Sequence, residues 1–213
     1  MNKLFSMDSP LMQKLSQLPD LIVLHLLWAI CSLPVVTMGA ATTALHTVVQ
    51  ALIQGTDHGI IRPFFRSFRE NFKQSTTLWL PLSALLGLLV LDVSFLAEKA
   101  EGAMLLLWIP TLILGAIATV LVSFGFPLIA RYDNDLKTVV SNSFLLFSLH
   151  FFPALAVMVL NVLPWALMIL EPNLFLQTGF LWIVAGSSLP AYIADHILLP
   201  VFKKYDPKDP EEN

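Results

Sequence analysis

The stretch LIVLHLLWAICSLPVVTMGAATTALHTVVQALI, residues 21–53, contains no Asp, Glu, Lys or Arg. As one helix it would be about 50 Å long, at roughly 1.5 Å per residue. The hydrocarbon core of a bilayer is about 30 Å thick, so this length suits two short crossings better than one. Pro34 and Gly39 lie near its middle, where their residue types favour a turn. The stretch predicts either one crossing or a two-helix hairpin that turns at residues 34–39.

The distribution of Lys and Arg favours the hairpin. With one crossing, nine of the 12 cationic residues lie on one side of the membrane and three on the other. With two crossings, eleven lie on one side and only Lys99 lies opposite. Because cytoplasmic loops are enriched in Lys and Arg, we predict six spanning segments with both termini in the cytoplasm. A partial re-entrant hairpin is the alternative. The other four segments are predicted at residues 76–97, 103–130, 150–170 and 174–201.

The composition is that of a membrane protein. Hydrophobic residues make up 56% of the chain and charged residues 13%, with a mean hydropathy of +0.75. A soluble domain usually carries about 25% charged residues. We therefore predict an all-α, polytopic bundle of transmembrane helices that forms a single integral membrane domain over residues 1–213. Residues 1–18 are predicted as a cytoplasmic N-terminus and residues 203–213 as a disordered cytoplasmic tail.

Several functional classes are disfavoured by the same residues. The net charge of −3 argues against a nucleic-acid partner, which would require a basic surface. The single cysteine, Cys31, excludes an internal disulfide. Asp8 and Asp20 lie where a cleavable signal peptide would be positive, so the first apolar stretch is interpreted as retained. No glycine loop for nucleotides, Ser-His-Asp set or facing carboxylate pair is found, so we predict no enzyme, cofactor or metal site.

The loop after the second segment carries two sets of residues at helical spacing. The sets centre about 110° apart on a helix. This pattern predicts an amphipathic elbow helix in the cytoplasmic interface, with Phe rings in the acyl boundary and Arg side chains at the phosphates. A docking site for another protein uses the same spacing and remains the alternative. The apolar set is Ile61, Phe64, Phe65, Phe68 and Phe72, and the basic set is Arg62, Arg66, Arg69 and Lys73.

A second elbow helix is predicted after the fourth segment. Leu136, Val139, Val140, Phe144 and Phe147 recur at helical spacing there. The order of segment, elbow and segment thus occurs twice, in residues 37–97 and 103–170. Internal repeats are common in transporters, although duplication also produces them in other membrane proteins.

Four ionisable side chains inside the predicted segments form a candidate polar layer near the cytoplasmic face. Each ionisable residue in a bilayer is unfavourable by about 2.5–3.5 kcal/mol on insertion scales, so each suggests a role. The layer is a candidate substrate or proton site, and His and carboxylate groups also suit transition metals. Local pairing near the interface is the simpler alternative. The four residues are His25, His46, Asp195 and His196.

Four motifs make the chain resemble the YesL-like family of bacterial integral membrane proteins, which has no assigned activity. They are FSMDSP at 5–10, CSLPVVTMGA at 31–40, FRSFRENFKQ at 65–74 and RYDN at 131–134. The resemblance implies a plasma-membrane protein, because its members are similar in that respect. It also implies a role near sugar import, because the family is often encoded beside carbohydrate-uptake and glycan-degradation genes. It supplies no catalytic or binding residues.

Two functions are therefore expected. The first is an accessory or regulatory component of carbohydrate uptake, with the lipid bilayer and an ABC importer permease as partners. The second is a small transporter or channel for a sugar or another small solute, which would use the polar layer.

Overall fold

The computed structural model describes residues 17–56 and 59–206. This part of the chain is helical and contains no strand, as the all-α prediction requires. Short 3₁₀ turns at Val35–Thr37 and Gly102–Leu107 precede two of the helices. The helices are α1 Leu18–Ser32, α2 Met38–Gln54, α3 Ile61–Glu70, α4 Phe72–Lys99, α5 Trp108–Arg131, α6 Leu136–Leu149, α7 Phe151–Leu170, α8 Pro172–Gln177, α9 Gly179–Ala185 and α10 Ser188–Phe202.

Between three and five of these elements are candidate membrane spans within the described residues. The three unbroken ones are Val35–Gln54, Phe72–Lys99 and Met104–Arg131. Two bent pairs qualify if each counts as one span: α6 with the first part of α7, bent by 114°, and α9 with α10, bent by 68°. Helix α1 is apolar but has only 15 residues.

The apolar stretch 21–53 is divided into α1 and α2, which separate at the predicted turn. Pro34 precedes the 3₁₀ turn, and the Thr37 hydroxyl donates to the Pro34 carbonyl at 2.8 Å. Trp28 Nε1 donates to Thr42 Oγ1 at 3.1 Å, and Gln17 Nε2 donates to the Leu52 carbonyl at 3.4 Å. The residue before α1 thus meets the end of α2, and the end of α1 meets the start of α2, so the pair is an antiparallel hairpin.

Helix α2 lies at the centre of the molecule. In the most apolar part of each span, 61% of Val35–Gln54 is buried inside the protein, against 11% of Phe72–Lys99 and 17% of Met104–Arg131. Helix α2 therefore packs against other helices, whereas α4 and α5 present apolar side chains outward. Small residues permit this close packing. A Cβ atom on Gly39 would lie 2.5 Å from Trp79 Cβ and 2.7 Å from the Ser75 carbonyl oxygen. Helix α2 packs against α1, α3, α4, α5 and α10.

The segment predicted over residues 174–201 is not one continuous helix. The structure divides this run among α8, α9 and α10. At the bend between α9 and α10, the Ser187 N–H donates to His25 Nδ1 at 3.2 Å, so a side chain of α1 receives it. A second stop lies at Thr178, whose hydroxyl donates back to the Leu174 carbonyl at 2.9 Å. Side-chain partners of this kind compete with the helical ladder and interrupt it.

One end of the molecule collects the helices α3 and α6. Single residues join each to the next helix: Asn71 links α3 to α4, and His150 links α6 to α7. Gln74 Nε2 donates to the Asn134 carbonyl at 2.5 Å and connects the two regions. His150 Nε2 lies 3.0 Å from the Tyr205 hydroxyl, so the end of the described chain meets the same surface. We call this the polar end.

Candidate functional site

The most unusual polar contact is a buried pair between α2 and α10. His46 Nδ1 lies 2.8 Å from Asp195 Oδ2, although the two residues are 149 positions apart in the chain. The Asp195 residue has no exposed surface and His46 has 8%. Gln50 Nε2 donates to Asp195 Oδ1 at 3.3 Å and to the Pro127 carbonyl of α5 at 3.2 Å. Three helices thus meet around one carboxyl group.

The environment of Asp195 restricts its charge. Within the described residues no Lys or Arg forms an ion pair with it, and His46 is the ionisable side chain in contact with it. An unpaired carboxylate in an apolar interior is strongly unfavourable. The hydrogen-bond partners His46 and Gln50 offset this burial. The chemistry that this arrangement permits is the binding and transfer of a proton.

His46 of the buried pair belongs to a stripe of polar side chains along α2, which was not predicted from the sequence. At 100° per residue, the five stripe residues fall within about 100° of the helix circumference. Thr43 Oγ1 lies 2.7 Å from Ser75 Oγ of α4, and Thr47 Oγ1 lies 2.7 Å from Ser67 Oγ of α3. Side chains of α3 and α4 thus supply hydrogen-bond partners for the stripe. The spacing i, i+3, i+4, i+7, i+11 is the signal that would have revealed it. The stripe consists of Thr43, His46, Thr47, Gln50 and Gln54.

His25, predicted in the same layer, has a different partner. Its Nδ1 lies 2.8 Å from Ser187 Oγ and accepts the Ser187 N–H. Because Nδ1 accepts a backbone hydrogen, the neutral ring carries its proton on Nε2. A cavity of about 170 Å³ adjoins this contact, at the bend between α9 and α10. His25, Trp28, Pro164, Phe175, Trp182, Gly186 and Ser187 line it.

His196, the fourth residue of the predicted layer, does not join the His46–Asp195 contact. Its Nδ1 is buried without a hydrogen-bond partner among the described residues, and its ring centroid lies 4.6 Å from that of Tyr192. Of the four predicted residues, the structure therefore brings His46 and Asp195 into contact and places His25 and His196 in separate contacts. In the described part of the chain, no three His, Cys, Asp or Glu side chains converge as metal ligands would.

The predicted elbow region 61–73 contains α3 and the start of α4, and its side chains divide into three groups. Phe64 is fully buried and Ser67 is 4% exposed, so this side packs on the protein. The prediction that Phe64 enters the acyl boundary is therefore wrong, because its ring is a core residue beside α1 and α2. Phe68 is partly buried in the same cluster. Two further groups are exposed: Phe65 and Phe72 with Ile61, and the basic set Arg62, Arg66, Arg69 and Lys73.

A second ionic cluster at the polar end was not predicted. Arg131 Nη2 lies 2.5 Å from Asp206 Oδ2, and the Tyr132 hydroxyl donates to Asp206 Oδ1 at 2.8 Å. The Arg131 guanidinium lowers the pKa of the Asp206 carboxyl below its usual value. Burial raises the pKa of the Tyr132 phenol, and its bond to Asp206 raises it further. The cluster ties the residues after α10 to the end of α5.

Comparison with known proteins gives one partial match. The model of a family described as "Protein of unknown function, DUF624" matches residues 21–93. That segment spans nearly all of α1, all of α2 and α3, and most of α4, and it contains His25, His46 and the basic set. Asp195 lies outside it. No curated protein and no solved structure matches the chain.

Proposed function

We propose that this chain is a multi-pass protein of the bacterial plasma membrane that acts as an accessory or regulatory component of carbohydrate uptake. In the proposed topology, α1 and α2 cross as the first two of six segments, and both termini are cytoplasmic. The Lys and Arg distribution supports this orientation. The resemblance to the YesL-like family supports the link to sugar import, and the match to a family of unknown function is neutral on it.

The polar end is the observation that carries the proposal. It gathers α3, α6 and the Arg131–Asp206 cluster at one end of the molecule, and in the proposed topology these lie at the cytoplasmic interface as the two elbows. The permease of an ABC importer would contact the protein at this end. Helix α6 offers Lys137 and Ser141 as exposed polar side chains for such a contact.

The proposal is tested by uptake and by association. Deletion of the gene should change the rate of uptake of a carbohydrate that an ABC importer carries. A permease subunit, identified by mass spectrometry, should co-purify with the tagged chain from native membranes. A Lys137→Glu, Ser141→Glu variant should lose the permease, whereas Lys99→Glu, at the opposite end, should retain it. Unchanged uptake of every candidate glycan in the deletion strain would contradict the proposal.

A small transporter or channel is the second candidate, and the buried His46–Asp195 pair favours it. Ionisable groups inside membrane bundles often mark ion and solute pathways. Proteoliposomes of the purified chain should then show solute or proton flux that Asp195→Asn abolishes. Asp92→Asn is the matched control, because Asp92 is bonded to Thr111 away from the pair. An absence of flux with all candidate solutes would rule this function out.

A further inference from the structure

The exposed side of the α3 region consists of two adjacent strips. On α3, at 100° per residue, Ile61 and Phe65 lie about 40° apart and Arg62, Arg66 and Arg69 fall within about 60° of one another. Phe72 and Lys73 follow at the start of α4. The three arginines lie opposite the buried Phe64, and Ile61 and Phe65 lie between the two sides. The apolar strip is Ile61, Phe65 and Phe72, and the basic strip is Arg62, Arg66, Arg69 and Lys73.

The basic strip carries an excess of positive charge. Glu70 is the acidic side chain in residues 61–73, and it pairs with Arg66 at 2.9 Å. Arg62, Arg69 and Lys73 have no ion-pair partner among the described residues. A groove of about 410 Å³ runs along this side and is lined by three of the arginines, Ile61, Phe65 and Glu70. The strip is thus complementary to several anionic groups.

The position of the helix places this charge next to the hydrocarbon core. Only Asn71 separates α3 from α4, a candidate span of 28 residues. Because Phe64 and Ser67 fix the other side of α3 to the protein, the helix cannot roll to bury its basic strip. The apolar strip then meets the acyl chains where the basic strip meets the headgroups, which is the arrangement of interfacial helices.

We propose that the basic strip binds the phosphate groups of anionic phospholipids in the cytoplasmic leaflet. Arg is suited to this ligand because its planar guanidinium donates two parallel hydrogen bonds to a phosphate. The assignment rests on the membrane orientation proposed above, and not on the role in sugar uptake. It assigns α3 to lipid and leaves α6 as the polar-end helix that meets a protein partner.

Lipid retention by the purified full-length chain tests the assignment. The protein is placed in nanodiscs of phosphatidylcholine with a minor fraction of phosphatidylglycerol, released into mild detergent, and analysed by native mass spectrometry. The wild type should retain phosphatidylglycerol selectively. The variant Arg62→Gln, Arg66→Gln, Arg69→Gln, Lys73→Gln should retain it more weakly, by about fivefold for each neutralised cation.

A control matched in charge separates the strip from net charge. Lys99→Gln, Lys137→Gln, Lys203→Gln, Lys204→Gln removes four exposed cations elsewhere and should retain phosphatidylglycerol like the wild type. The variant Arg62→Lys, Arg66→Lys, Arg69→Lys keeps the charge and should also retain phosphatidylglycerol. That result would show that the strip folds and acts through its cations. Equal retention by wild type and the neutralised strip, or equal loss in the matched control, would overturn the proposal.

Two further arms identify the ligand. Inorganic phosphate at millimolar concentration should not displace the retained lipid, because a free anion lacks the acyl chains that meet the apolar strip. Neutralising the strip should leave co-purification of a permease unchanged. Loss of the permease with unchanged lipid retention would identify the strip as a protein interface and contradict the lipid assignment, while the role in uptake would stand.

Discussion

At the scale of single residues, the contact between His46 and Asp195 joins side chains that are 149 positions apart in the chain. Intramembrane ionisable groups are rare enough to be recognised from hydropathy. Their partners depend on the relative rotation and depth of helices that are far apart in the chain. His46 and Asp195 were therefore predictable as candidates, whereas the separate contacts of His25 with Ser187 and of His196 with Tyr192 were not.

The buried pair should contribute strongly to stability. Asp195→Ala leaves His46 Nδ1 and Gln50 Nε2 without their carboxylate partner and should lower the free energy of unfolding by about 3–5 kcal/mol. Asp195→Asn should be milder, because its amide oxygen still accepts a hydrogen bond. A cycle with His46→Ala should give a coupling energy of about 1–3 kcal/mol, measured by denaturant unfolding in detergent.

The exposed Asp133→Ala serves as the control for that cycle and should change stability by no more than about 0.5 kcal/mol. If Asp195→Ala and Asp133→Ala have equal effects, the contact between His46 and Asp195 is not formed in the folded protein.

The effect of a Gly→Ala substitution on stability should depend on which atoms lie beside the glycine. Gly39→Ala forces a Cβ against Trp79 Cβ and the Ser75 carbonyl, and should destabilise the protein by about 1–3 kcal/mol. Gly87→Ala, inside α4 with nothing within 4 Å, should stabilise it by about 0.5–1 kcal/mol. Thermal unfolding of the two variants in the same detergent gives the comparison. A stabilising Gly39→Ala would contradict the close approach of α2 and α4.

At the scale of elements, most helices follow from local pattern, and the exceptions have tertiary causes. Apolar runs predicted α4, α5 and α7 within a few residues, and Pro34 predicted the break between α1 and α2. The division of residues 174–201 was not predicted, because a run of apolar residues does not show that Ser187 will bond to a histidine 162 positions earlier. Likewise, helical spacing alone did not separate Phe64, which is buried, from Phe65, which is 38% exposed.

Helix α3 should depend on Phe64 for its attachment. Phe64→Ala removes a fully buried ring and should destabilise the docking of α3 by about 3–5 kcal/mol. Phe65→Ala, the adjacent control, should change it by about 1 kcal/mol or less. Trypsin cleavage after Arg66 and Arg69 reports the difference, and should be at least about tenfold faster in Phe64→Ala than in Phe65→Ala. Equal cleavage rates would show that α3 is held by other contacts.

The cluster that ties the end of α10 to α5 should be sensitive to acid. The pKa of Asp206 is lowered in the folded protein, chiefly by its bond to Arg131. Its stabilising effect is thus complete above the unfolded pKa of about 3.9 and is lost as the pH falls through the lower, folded pKa. The melting temperature of the wild type should exceed that of Asp206→Asn by a constant amount above about pH 5, with the difference shrinking below about pH 4. A difference that grows on acidification would contradict the sign of the pKa shift.

At the scale of the whole molecule, the orientation of the helices is the property to measure. In a Cys31→Ser background, Glu101→Cys should react with an impermeant maleimide added outside intact cells. Thr56→Cys and Lys204→Cys should react only after the membrane is opened. Ser9→Cys, outside the described residues, should behave like them if α1 and α2 both cross. Outside reactivity at position 9 would favour one crossing of residues 21–53.

The central position of α2 has a consequence for synthesis. His46 and Gln50 emerge from the ribosome about 150 residues before Asp195, the group that satisfies both of them. At about 5–20 residues per second, roughly 7–30 s pass before Asp195 is available to either side chain. During that interval the nascent chain depends on the hairpin with α1 or on the insertion machinery to shelter them. Early termination before α10 should therefore leave a product that quality-control proteases of the membrane recognise and remove.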